Sequence, residues 1–516
     1  MTNPTRSETL RVTLNPGTSN HLTQRQMEST LWAAANALRG PVDPGDFKAY
    51  VFPVLFFKWI SDSWDHEHVR AFADFGDSLT EEIEADYHAF VVPSGCHWKD
   101  VHDTAVNVGA ALSRALQRIQ QANPEALAGV FGDVNWANKE RLPETALTAL
   151  LDAFHGVRLD PEHVSGDMLG AAYEYLLREF AEASGKKAGE FFTPRHVVHL
   201  LVKILDPQPG DSVGDPACGS GGMLVETVGA VRAAGGDPRT LRLYGQEVNL
   251  TTSAIAKMNL YLHGLEDFKI VRGDTFREPK LLEQGGLQRF DVVIANPPFS
   301  LQNWGADTWV KDPYRRVICG LPPAKNADFA WIQHMVATMK PDTGRVGVVM
   351  PHGVLFRGGK EGEIRECLLR KDLLEAVVGL PNNLFYSTSI PVALLIFRAQ
   401  KPAERVDKVL FIDASKRFQA GKNQNTMSDE DVDVVDAAYK RGEDLDGEGG
   451  LSLRLVDVQE LEANGFDLNI GRYIKGETAA EANVEEALIA YREARERLSI
   501  AETVLDEKLK AAGFDA

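Results

Sequence analysis

Asp291-Val292-Val293-Ile294-Ala295-Asn296-Pro297-Pro298-Phe299 decides how this chain folds. Its first five residues form an apolar run that predicts a buried strand. The two prolines stop that strand and stiffen the turn after it. Asn296 is thereby presented on a rigid turn at a strand's carboxyl end, next to the ring of Phe299. Ligands bind at that position in open α/β sheets. An amide oxygen and a proline carbonyl can each accept a hydrogen bond from a planar amino group, and the ring can stack on its face. Taken alone, the tetrapeptide reads equally well as an ordinary Asn-Pro turn.

On both sides of this stretch, from Asp167 to about Phe397, short apolar runs alternate with helix-like segments. Asp211-Ser212-Val213-Gly214, Leu241-Arg242-Leu243-Tyr244-Gly245 and Arg345-Val346-Gly347-Val348-Val349-Met350 are such runs. Val392 to Phe397 and Lys408 to Ile412 are candidates to complete the sheet. The alternation predicts an α/β fold with a doubly wound, Rossmann-like sheet. Residues 1–160 read instead as a helical N-terminal domain. Its segment from Asp46 to Ile60 is densely apolar and aromatic, and Pro53 is expected to kink or divide it. Residues 416–475 read as loop-rich and acidic, a solvated surface. In 477–512, Val484, Tyr491, Leu498 and Leu505 repeat every seven residues, which predicts a long C-terminal helix with a partner stripe.

The 516 residues are too many for one ordinary core. No apolar run is long enough to span a bilayer, and Met1-Thr2-Asn3-Pro4-Thr5-Arg6 begins no signal peptide. Cys96, Cys218, Cys319 and Cys367 are scattered without CxxC spacing, which argues against a disulfide framework or a zinc site and for a reducing, cytoplasmic setting. The balance of 55 Lys+Arg against 74 Asp+Glu gives −19. A protein that binds DNA unaided usually has a basic surface. Here a local basic groove and another subunit would have to supply much of that affinity.

Asp215-Pro216-Ala217-Cys218-Gly219-Ser220-Gly221-Gly222 comes directly after the first strand and opens a helix. Its glycines let the backbone turn sharply and approach a ligand. No Gly-Lys-Ser/Thr is present there, so it is not a Walker loop. The next strand ends at Glu247, where an acid can accept both ribose hydroxyls. The one after ends at Asp274, where a carboxylate can accept from an amino group. Each acid alone is commonly a helix cap. Three polar groups at consecutive strand ends, together with Asn296-Pro297-Pro298-Phe299, are harder to explain as caps.

This set resembles the S-adenosylmethionine-dependent amino-methyltransferases. Asp215, Gly219, Ser220 and Gly221 resemble their glycine-rich motif, Glu247 their ribose acid and Asp274 their adenine-side acid. Asn296, Pro297, Pro298 and Phe299 resemble the catalytic motif. Upstream, Glu190-Phe191-Phe192-Thr193-Pro194-Arg195 is similar to the cofactor motif that precedes the sheet in γ-ordered N6-adenine enzymes. The same segment also reads as a helix start, with Thr193 as N-cap and Pro194 at the first helical position.

Asn326-Ala327-Asp328-Phe329-Ala330-Trp331-Ile332, Met350-Pro351-His352-Gly353-Val354-Leu355-Phe356 and Phe466-Asp467-Leu468-Asn469-Ile470-Gly471-Arg472-Tyr473 look like the modification subunit (HsdM) of type I restriction-modification systems. The resemblance implies a methyltransferase domain over 161–475 and subunit packing by 476–516. It implies S-adenosylmethionine as cofactor and double-stranded DNA as substrate. It also implies a separate specificity subunit, a second copy of this chain and a separate restriction/translocase subunit. Asn296 and the Pro297 carbonyl would hold the amine of a flipped-out adenine, on which Phe299 stacks. Asp328 would line the site, whereas His352, between proline and glycine, reads as a satisfied loop residue. No metal is expected. Two rival readings are methylation of RNA adenine, cytosine N4 or protein glutamine, and a non-catalytic scaffold.

Overall fold

Nine strands build one sheet, and two motifs of the sequence end neighbouring strands at its centre. The computed structural model describes residues 21–184, 193–385, 390–422, 424–443, 448–474 and 495. In chain order the strands of this sheet are β1 Ser212–Asp215, β2 Arg242–Glu247, β3 Phe268–Arg272, β4 Val292–Ala295, β5 Arg345–Pro351, β6 Leu374–Gly379, β7 Val392–Arg398, β8 Lys408–Asp413 and β9 Ser452–Asp457. They lie side by side as β9-β8-β6-β7-β5-β4-β1-β2-β3. β7 and β9 run against the other strands. The sheet is therefore mixed but mainly parallel. Its central strands are buried on both faces, so they read as continuous apolar runs.

The chain adds β2 and β3 on one side of β1, then returns to place β4 on the other. Ser212 opposes Arg242, while Val213 opposes Val292. Such a reversal leaves a crevice at the strands' carboxyl ends. At the other end of the same strand pair, Asp291 holds β1 and β4 together. Its carboxylate accepts from the Ser212 amide (2.8 Å) and hydroxyl (2.7 Å) and pairs with Lys340 at 2.7 Å.

Ahead of the sheet lie α1 Gln24–Ala37, α2 Phe47–Phe75, α3 Val108–Ala122, α4 Glu144–His155 and α5 Gly166–Ser184. Pro53 neither ends nor divides α2, which runs 29 residues. Well inside the helix, the ring costs one backbone hydrogen bond, and the buried aromatic face outweighs it. Phe52 meets Tyr173 of α5 at 4.2 Å between ring centroids. Two further helices flank the glycine-rich turn, α6 Arg195–Leu205 and α7 Gly222–Ala233. The core of the helical part also takes in Ala254, Ile255 and Met258 of α8 Leu250–Leu262, which lies after β2. The Tyr173 hydroxyl donates to the Ile255 carbonyl at 3.0 Å. Later helices are α9 Asp328–Thr338, α10 Lys360–Arg370 and α11 Asp429–Arg441.

Two further expectations change. Part of the acidic stretch after residue 416 is ordered structure. Ser428 and Asp431 form a capping box for α11, whose Val432, Val435, Ala438 and Tyr439 are buried, and β9 closes the sheet. Acidic residues on its solvent face hide that apolar stripe from a reading by composition. Cys319 and Cys367, 48 residues apart, form a disulfide, so the cysteines are not all free. The loop before α9 folds back onto α10, a contact that sequence spacing does not reveal. The long C-terminal helix expected over 477–512 lies, Arg495 apart, outside the described residues. Among the described residues, no helix is long and apolar enough to cross a membrane.

Burial alone would raise the Asp291 carboxyl, but Lys340 and the two Ser212 donors outweigh it and hold it at about 2. A lowered folded value contributes stability above the ordinary carboxylate range, and that contribution is lost as pH falls toward 2. Asp291→Asn is expected to cost about 1–3 kcal/mol at pH 7. The gap from wild type should narrow between about pH 4 and pH 2. Urea unfolding at pH 7 and pH 2.5 measures both, and a gap independent of pH would exclude this role.

Candidate active site

An open cavity lies at the carboxyl end of β1 and β4. Its wall includes Thr193, Arg195, Asp215, Gly219, Ser220 and Asn296, which the sequence singled out. It also includes Glu174 of α5 and Glu226 of α7, which the sequence reading missed.

The glycine-rich turn owes its shape to backbone conformation and to one acid. Gly219 (φ +53°) and Gly221 (φ +79°) take the left-handed conformation. Gly245, on β2, admits the turn. A side chain there would lie 2.8 Å from the Cys218 sulfur. Glu247 accepts from the Gly219 amide at 3.1 Å and from the Asn249 amide at 2.8 Å. Asn259 of α8 donates to the Ser220 carbonyl at 2.9 Å. The turn is thus pinned from β2 and from α8, and α8 is rooted in the helical core.

Asp215 is 2 % exposed, and one of its oxygens accepts from the Ala217 amide at 3.0 Å. Burial pushes its carboxyl up to about 8, and the nearby Glu247 adds to this. Burial also raises Glu247. Carboxylates held above their usual range by burial are stabilised by a cation placed beside them. The cavity wall therefore fits a positively charged ligand.

Asn296 comes directly after β4. Its amide nitrogen donates to the Thr193 hydroxyl at 2.8 Å, and its buried Oδ1 has no partner among the described residues. A buried amide oxygen without a donor carries a free-energy cost that an incoming N–H would remove. Thr193 consequently serves the turn and not the helix. α6 begins at Arg195 with Pro194 as its N-cap, one residue later than the helix start read from sequence. Phe299 is half-buried, with its ring 6.2 Å from that of Phe385, edge to face.

The residue after Phe299 is clamped. Ser300 adopts φ +51°, and its amide donates to Asp328 at 2.7 Å. Asp328 is fully buried, and its other oxygen meets Arg357 at 2.9 Å. Arg357 also pairs with Glu361 of α10 at 3.2 Å. Asp328 therefore supports the turn from behind and does not line the cavity.

The other sequence candidates are spread around the cavity or away from it. Glu247 and Asp274 stand at consecutive strand ends, outside the cavity lining. Asp274 accepts from the Phe276 amide at 2.9 Å and the Arg277 amide at 3.1 Å, and pairs with the Arg277 guanidinium at 2.6 Å. Pro194, Gly221, Pro297, Pro298 and Phe299 flank the cavity wall in sequence. Glu190, Phe191 and Phe192 lie outside the described residues. His352 approaches the Val392 carbonyl at 3.2 Å, and burial lowers its imidazole. Its contacts are those of a loop residue. Among the described residues, one group brings metal-ligating atoms within 4.8 Å of one another: His66, Asp160 and Glu162, in the helical part.

Comparison with known proteins identifies the family. Residues 164–482 match the model of the N-6 DNA Methylase family, and residues 27–154 match the HsdM N-terminal domain. The chain is 35% identical to the type I restriction enzyme MjaVII methylase subunit of Methanocaldococcus jannaschii, over 70% of this chain and 63% of that one. It is 30% identical to the MjaIX methylase subunit of the same organism, over 87% and 84%. The crystal structure of a type I restriction-modification methyltransferase subunit from Streptococcus thermophilus superimposes with a TM-score of 0.76 at 32% identity. It covers 88% of this chain and 100% of the other. The chain belongs to the N-6 DNA methylase family and is a type I restriction-modification methylase subunit, an N6-adenine DNA methyltransferase.

Proposed function

We propose that the cavity holds S-adenosylmethionine and that Asn296-Pro297-Pro298-Phe299 holds the adenine. The observation that carries this reading is the unpartnered Asn296 Oδ1 at the rim of a cavity walled by Asp215, Glu174 and Glu226. Gly219, Ser220 and Gly221 would let the backbone approach the ligand, and Glu247 and Asp274 would face its ribose and adenine. Thr193, Pro194 and Arg195, with Glu190, Phe191 and Phe192 ahead of them, would hold its amino-acid end. The cofactor supplies an electrophilic methyl group.

An exocyclic adenine amine is a poor nucleophile, because its lone pair is delocalised into the ring. The Asn296 oxygen and the Pro297 carbonyl accept its two hydrogens and favour a tetrahedral nitrogen. Phe299 stacks on the flipped base. Asn296 is no base, so the proton released on methylation passes to water. Catalysis here is positioning and electrostatic stabilisation. Asp328, through Ser300, keeps the turn in place.

Double-stranded DNA is the substrate, in the cytoplasm, and its sequence is read by a separate specificity subunit. A second copy of this chain and a restriction/translocase subunit complete the assembly. The net charge of −19 supports a partner that supplies basic surface. We divide the chain at 1–160, 161–475 and 476–516, the last for packing on the specificity subunit.

With the specificity subunit present, labelled methyl groups should reach N6-methyladenine in plasmid DNA. Asn296→Ala should reduce that incorporation by about 100-fold or more, as expected when an oriented acceptor is lost, and leave assembly intact. Methylation at the wild-type rate in this variant would overturn the site. Asp328→Asn should lower kcat by about 10- to 100-fold with a smaller change in KM, since it loosens the turn but touches no ligand. Removal of residues 476–516 should weaken co-purification with the specificity subunit, and full-strength assembly would reject that role.

A further inference from the structure

Glu174 is one of the two acids in this cavity that the sequence motifs do not account for. It projects from α5, the last helix of the helical part, and stands in the wall with Arg195 at the start of α6. Among the described residues it has no hydrogen-bond or ion-pair partner, whereas Glu226 is bonded to His199 at 2.5 Å. Its charged neighbours are Glu226 on α7, Arg195 on α6 and Arg178 on its own helix. Asp215 completes the acidic wall at the end of β1. Burial, reinforced by the like charge of Glu226, pushes the Glu174 carboxyl up to about 7. Such a group gains most from a cation brought beside it.

The placement of opposite charges identifies which cation. Glu174 and Arg195 interact across one wall of the cavity, one acidic and one basic. A free amino acid carries an ammonium and a carboxylate on a single carbon. A carboxylate and a guanidinium that line one cavity suit that pair, and a guanidinium can take a carboxylate through two parallel hydrogen bonds. A sulfonium alone would leave Arg195 without a partner.

We propose that Glu174 binds the α-ammonium of the methyl donor's amino-acid end, while Arg195 takes the carboxylate of the same carbon. The inference rests on the reading of this cavity as the S-adenosylmethionine site. It makes the helical part a contributor to cofactor binding, because α5 is rooted in that core through Tyr173. The ligand then joins α5 to α6 and to the glycine-rich turn.

Isothermal titration of the full-length chain tests this with three probes: S-adenosylmethionine, S-adenosylhomocysteine and methylthioadenosine. The third lacks the amino-acid end. Glu174→Gln should weaken the first two by about 10- to 100-fold, the scale of a hydrogen bond to a charged group, and leave methylthioadenosine unchanged. The melting temperature of the ligand-free variant should not fall, because a buried acid beside Glu226 has been neutralised. Equal weakening of all three probes, or of none, would overturn the proposal. So would weakening of S-adenosylmethionine alone, which would place Glu174 at the sulfonium. If wild type binds none of the three, the cofactor reading itself fails, and the result is distinct from every outcome of the variant.

Discussion

The reversal of strand order between β1 and β4 is the constraint on which this molecule depends. A parallel sheet wound in one direction would bury each strand end under the next connection. Here the chain leaves β1 for β2 and β3, then returns to β4 on the opposite side. Two turns therefore face each other across one crevice, the glycine-rich turn after Asp215 and the proline-stiffened turn after Ala295. Asp291 fixes the far end of the same strand pair through Ser212. With one end of the pair tied, the carboxyl ends keep their separation. The adjacent register, Val213 opposite Val292, sets how far each strand reaches toward the crevice.

Both turns are held by residues that do not line the cavity. Glu247 takes the Gly219 amide, and Asp328 takes the Ser300 amide. Each carboxylate replaces a hydrogen bond that a regular element would have provided, at a residue where the backbone leaves the strand or helix region. Arg357 neutralises the buried Asp328. A buried acid without that partner would shift its proton affinity or pull the turn toward solvent. Each supporting carboxylate thus fixes the backbone of a turn that faces the crevice.

Local punctuation made the two turns of the candidate site legible in the sequence. Pro297, Pro298, Gly219 and Gly221 restrict or free the backbone irrespective of what packs on them, so the two turns could be read without a structure. β1, β2, β4, β5, β7 and β8 were equally visible as apolar runs. β6 and β9 were not, and β3 was read only as the strand that ends ahead of Asp274. β3 (Phe268–Arg272) carries two basic residues on an edge, and β9 carries Arg454 and Asp457. β6 contains Glu375, a fully buried acid that breaks its apolar run. Arg398 at 2.5 Å, Arg405 at 2.8 Å and the Tyr439 hydroxyl at 2.7 Å satisfy it, and they come from three separate segments. Glu174, Asp328's bond to Ser300 and the Cys319–Cys367 bridge escaped for the same reason. Each depends on residues brought together by tertiary packing, which periodicity does not encode.

Acidity has opposite consequences at the two scales of this chain. Over the whole surface, −19 opposes a polyanion, and DNA affinity must be concentrated in a groove or borrowed from another subunit. Inside the cavity, burial disfavours the ionisation of Asp215 and Glu174, so a cationic ligand relieves a cost already present in the folded protein. A nucleotide of similar size but negative charge would meet the same wall and increase that cost. The same wall distinguishes this crevice from phosphate-binding sites built on an otherwise similar strand, glycine-rich turn and helix, where backbone amides face an anion and no acid stands opposite.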